Sequence, residues 1–141
     1  MYLLLLIVVC IYISITDFFY RMIQNYALLI LFILQCFLSP LDIQVISFLL
    51  VLGGGLIIYY LIWIGAGDIK YIAVLSLTIP IGDLLWAFIM TGFSGGILAS
   101  IYLINKKLAR RKPNDQQGIP YGIAISIGFY LVILTQNTPY I

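Results

Sequence analysis

Histidine and glutamate are missing from this 141-residue chain, and charge of either sign is scarce: seven Lys and Arg and five Asp against 64% hydrophobic residues. Without histidine there is no Ser-His or Cys-His nucleophile pair, and no His-ligated zinc hydrolase. The two cysteines, Cys10 and Cys36, lie inside apolar runs with no CxxC or other ligand spacing. No metal, cofactor or disulfide framework is therefore expected, and both read as buried thiols. So few charges exclude a soluble globular domain and leave a polytopic membrane protein. The first apolar run lacks preceding basic residues and a small-residue cleavage site, so it reads as a retained helix rather than a signal peptide.

What the chain does have is six apolar segments, roughly Tyr2 to Thr16, Tyr26 to Leu38, Ile43 to Ile64, Ile69 to Ile81, Leu84 to Ile104 and Ile119 to Thr135. The second and fourth are short, about 13 residues against the ~20 of an ordinary span. If all six cross, every basic residue falls on one side: Arg21, Lys70, Lys106, Lys107, Arg110, Arg111 and Lys112. The positive-inside rule makes that side cytoplasmic and puts both termini outside. The expected fold is an all-α integral membrane protein of six transmembrane helices. Its two short helices stand beside the acids discussed below and call for a thinned bilayer, little tilt or polar extensions.

Most polar and small residues have structural explanations. Trp63, Tyr59, Tyr60, Tyr71, Trp86, Tyr102 and Tyr121 lie near segment ends, as an interfacial aromatic belt requires. Gly53, Gly54, Gly55, Gly92, Gly95 and Gly96 read as helix-packing surfaces. The loop NKKLARRKPNDQQ reads as an orientation signal touching anionic lipid. Asp42 and Asp83 look like N-caps and Asp115 like a solvated loop residue.

Two acids remain. Asp68 lies in GAGDIK, Gly65 to Lys70, and Asp17 in TDFFYRMIQN. A carboxylate at a membrane edge is costly and needs a reason. Gly65 and Gly67 give the backbone conformational freedom and room for close approach. Taken singly, Asp68 would be an N-cap and Asp17 a partner for Arg21 one turn on. Taken together, at one membrane face, they form a pair suited to acid/base chemistry, because two close carboxylates share a proton and titrate jointly. The dipoles of their own helices favour Asp68 as the anion and Asp17 as the acid, with Arg21 opposing.

These stretches resemble the type IV prepilin peptidase family. GAGDIK fits its GxGDxK signature, and Asp17, Arg21, Ile23 and Asn25 fit its D-x3-[KR]-x-I-P-N stretch, with Gln24 in place of the proline. IPYGIAISIG, Ile119 to Gly128, resembles its Pro-aromatic-Gly segment opening the last helix. The resemblance implies a single peptidase domain over 1–141, without the soluble N-terminal zinc and methyltransferase region of longer members. It is closest in kind to the short members of tight-adherence, Flp-type pilus systems. It further implies catalytic Asp17 and Asp68, with Gly65, Gly67, Lys70, Arg21 and Asn25 in support. The implied activity is removal of the basic leader of prepilins or pseudopilins at the cytoplasmic face of the inner membrane. Lipids are the other expected contacts, and no nucleic acid.

Two other classes fit parts of the pattern. Presenilin-like intramembrane proteases share GxGD, but carry a tyrosine before the first acid where this chain has Thr16. A proton-coupled carrier or pilus-assembly scaffold would use acids as relays or caps; a carrier favours inverted repeats and midplane sites, which are not evident here.

Overall fold

The computed structural model describes residues 1–40, 42–62, 65–108 and 119–137. Trp63 of the expected belt, and Arg110, Arg111, Lys112 and Asp115 of the basic loop, lie outside them. Each apolar segment forms a helix: α1 (Tyr2–Tyr20), α2 (Asn25–Ile33, continuing as a π turn over Leu34–Leu38), α3 (Val45–Ile62), α4 (Ala66–Leu75, closing in a 3-10 turn over Ser76–Thr78), α5 (Ile81–Leu108) and α6 (Tyr121–Asn137). Three of them, α1, α3 and α5, are long and apolar enough to cross a bilayer. Their outward faces carry large apolar side chains such as Leu49, Leu50, Ile57, Leu85 and Phe93, more than half exposed, a surface suited to lipid rather than water.

The first helix runs one turn further than its apolar run, because nothing in Asp17–Tyr20 breaks it. It stops where Arg21 turns left-handed, φ 56° and ψ 26°, with the Arg21 N–H on the Asp17 carbonyl at 3.0 Å, a common helix ending. Gln24 then lies at φ −77° and ψ 134°, dihedrals that proline favours. The break between α1 and α2 therefore survives the loss of that proline.

The fourth helix is largely enclosed by protein: it packs on α2, α3 and α6. Ile69, Tyr71 and the run Ala73 to Ile79 are buried. Two corrections concern caps. Asp42 is exposed, three residues ahead of α3, and Asp83 sits inside the first turn of α5. There Asp83 Oδ2 accepts a hydrogen bond from Gln136 Nε2 at 3.1 Å, tying α5 to α6.

The expected glycine surfaces hold only in part. A methyl group on Gly55 would collide with Ile69, and one on Gly95 would touch Ala124 at 3.6 Å, while Gly53, Gly54, Gly92 and Gly96 face open space. The tightest crossing is elsewhere, at Gly128 of α6. A Cβ there would stand 2.7 Å from the Thr91 Cα of α5, and Phe88 meets Phe129 edge-on beside it at 5.7 Å. Gly128→Ala is expected to cost about 1–3 kcal/mol by forcing these helices apart. Gly92→Ala should be neutral; thermal denaturation in detergent compares the two.

Candidate functional site

Asp17 occupies the last turn of α1 and is buried, 7% exposed. Its surroundings would be hostile to a carboxylate but for one neighbour. Oδ2 accepts the backbone N–H of Gly122 at 2.8 Å, in the first turn of α6. Pro120, just before α6, has no capping side chain, and Asp17 supplies from another helix the oxygen that an N-cap residue would. The unpaired N–H groups and positive dipole end of α6 stabilise negative charge there. Only glycine permits the approach, since a Cβ at residue 122 would stand 2.7 Å from Asp17 Oδ2 and 3.0 Å from Cγ.

Asp68 lies in the first turn of α4 and is half-buried, at the edge of the apolar run that begins with Ile69. Its carboxyl is pushed up to about 6, first by burial and second by the negative charge of Asp17. The fold thus brings the two acids into electrostatic reach, as the sequence led one to expect. Gly67 lies against the link after α1, where a Cβ would make an ordinary van der Waals contact with Ile23 at 3.4 Å. Gly65 is exposed beside the Asp68 carboxylate. Neither glycine uses a positive φ.

The expected supporting residues divide. Lys70 is exposed, on the opposite side of α4 from buried Ile69 and Tyr71. Asn25 is exposed at the start of α2, and no hydrogen bond joins it to Asp17 among the described residues. Arg21 does not pair with Asp17: its left-handed backbone takes it off the helical path on which residues i and i+4 meet, and its Nη1 is buried without a hydrogen-bond partner.

Three residues at the site escaped the sequence reading. Tyr71, expected in the aromatic belt, is fully buried, with its hydroxyl 2.6 Å from Ser126 Oγ. Ser126 in turn lies 2.9 Å from Ser14 Oγ. Spacing could have found them, because Ser14 is one turn before Asp17, Tyr71 one turn after Asp68 and Ser126 one turn after Gly122. Among the described residues no three Cys, Asp or Glu side chains gather as metal ligands would.

A groove of about 570 Å³ runs between α1 and α6, lined by residues that include Ile11, Ser14 and Phe18 of α1 and Ile123, Ser126 and Ile127 of α6.

The sequence model of the type IV leader peptidase family matches residues 4–100. That stretch holds both acids and ends before α6. No curated protein and no solved structure matches the chain.

Asp68 is expected to titrate near pH 6, and Asp17→Asn to lower that midpoint toward, without reaching, the ordinary ~4 of a carboxyl, since burial persists after the charge is removed. The infrared carboxyl band that Asp68→Asn deletes reports it. A midpoint unmoved by Asp17→Asn would mean that the acids do not sense each other.

Proposed function

The chain belongs to the type IV leader peptidase family, and from that premise we propose that it is an aspartic endopeptidase acting through Asp17 and Asp68. In this reading it removes the short basic leader of Flp-type prepilins or pseudopilins at the cytoplasmic face of the inner membrane, in service of pilus biogenesis. The observation that carries it is the asymmetry of the pair. One carboxylate is held by an N–H at a helix N-terminus, and the other is half-buried and raised by the first one's charge. For the sidedness, support comes from Arg21 after α1, Lys70 at the start of α4 and Lys106 and Lys107 in the last turn of α5. These ends share one face if successive helices alternate in direction.

The roles follow from the environments and reverse the assignment drawn from the acids' own helices. Asp17 accepts the Gly122 N–H at the start of α6, and we assign it the role of general base. Burial and that neighbouring charge favour protonated Asp68, so Asp68 is the general acid. Asp17 takes a proton from water as the water oxygen bonds to the scissile carbonyl carbon, while Asp68 gives its proton to the carbonyl oxygen. Asp17 then passes its proton to the departing amine. The C–N bond breaks, and the geminal hydroxyl returns a proton to Asp68. The exposed space at Gly65 gives an extended peptide access to Asp68. The groove between α1 and α6 takes the apolar helix that follows the scissile bond.

Asp17→Asn and Asp68→Asn are each expected to reduce cleavage of a co-expressed Flp-type prepilin by at least ~10³-fold at normal membrane abundance. A leader-sized mobility shift reads this, and robust cleavage by either variant would return the chain to a carrier or scaffold role. Because Asp68 must carry a proton to act, kcat/KM should fall as pH rises through about 6. Ile127→Trp, which fills the groove, should raise KM several-fold while leaving the thermal transition in place.

A further inference from the structure

The helices that carry the two acids pack mainly on other helices. α1 packs chiefly on α6 and α2, and α4 packs on α6, α2 and α3. The separation of Asp17 from Asp68 is therefore set largely through third parties. One of these, α6, holds a hydroxyl cluster one turn inside the site. The Tyr71 hydroxyl of α4 lies 2.6 Å from Ser126 Oγ of α6, and Ser126 Oγ lies 2.9 Å from Ser14 Oγ of α1. Ser14 Oγ donates to the Cys10 carbonyl at 2.7 Å. Tyr71 can donate to Ser126, while the one Ser126 proton serves either Ser14 or the Gly122 carbonyl. Ser126 also lies 2.7 Å from the Gly122 carbonyl, in the residue whose N–H holds Asp17.

We propose that Tyr71, Ser126 and Ser14 form a positioning node that locks α1, α4 and α6 in the register at which Asp17 and Asp68 face each other. Ser126 is the member that joins all three helices. A serine in an apolar helix ordinarily satisfies itself on the carbonyl one turn back, and both serines can do so here. Their meeting across helices is therefore not needed to satisfy them. Tyr71 differs: its ring is fully enclosed, and its hydroxyl has as neighbours Ser126 and the Cys10 thiol. A buried tyrosine hydroxyl requires a partner, so rotation or sliding of α4 against α6 is opposed by the loss of that bond. The titratable groups acting on Tyr71 and Asp68 are Asp17 and Cys10 of α1; Tyr26, Tyr59, Tyr60 and Tyr121, from α2, α3 and α6, are exposed.

This inference rests on the reading of Asp17 and Asp68 as the acting pair, and two readouts separate the failure of one from that of the other. On purified protein without substrate, Tyr71→Phe and Ser126→Ala should each move the Asp68 infrared midpoint down by about half a pH unit or more, as α4 loosens and water and distance weaken both causes of its elevation. On prepilin cleavage, each should lower kcat roughly tenfold or more with KM within about twofold, because a misplacement near 1 Å is costly to chemistry but not to binding. The double variant should be no worse than the poorer single one, as members of one network behave. Ser126→Thr, which keeps the hydroxyl, should retain most of the rate, and Ser100→Ala, an exposed serine bonded only to its own helix, should change nothing. An unmoved midpoint with unchanged kcat in folded Tyr71→Phe overturns the node, and so does a double variant whose losses multiply. A wild type that cleaves no prepilin, with midpoints that still shift, overturns the peptidase reading and leaves the node standing.

Discussion

A carboxylate enclosed by apolar helices persists only where something opposes its charge, and in this chain that is one backbone N–H at the start of α6. The Gly122 contact at 2.8 Å explains several otherwise separate features. It requires glycine at residue 122, draws α1 against α6, and gives the last helix a cap that Pro120 cannot offer. It also gives the two acids unequal surroundings.

The second constraint is the enclosure of α4. Three neighbours bury much of its surface, which holds this short helix and the acid in its first turn in place. Gly67 and Ile23 then join the link after α1 to its first turn, so the two motif stretches meet through a glycine contact rather than a salt bridge. Arg21, the charged residue nearest Asp17 in sequence, serves the backbone: its left-handed turn ends α1.

Much of this was legible in the sequence. Six apolar runs give six helices, and the rarity of acids singled out Asp17 and Asp68, which the fold brings within electrostatic reach of each other. What could not be read was which helix faces which. The i,i+4 spacing of Asp17 and Arg21 pairs them only if the helix continues, and it stops at Arg21. Tyr71 was assigned to the interface because aromatic residues at segment ends usually belong there, a rule with no information about an enclosed helix. The cap on Asp17 comes from a residue 105 positions away, and local pattern carries no trace of such a contact. The dipoles of the acids' own helices likewise leave out the α6 N-terminus that Asp17 faces.

The order in which the chain is made adds a meaning to that long-range cap. Asp17 leaves the ribosome in the first helix and Gly122 in the last. Until α6 is threaded into place, the first acid has no terminus to hold its charge, and the second feels only an unanchored neighbour. A growing chain therefore carries both motif stretches well before α6 can bring the N–H that Asp17 accepts.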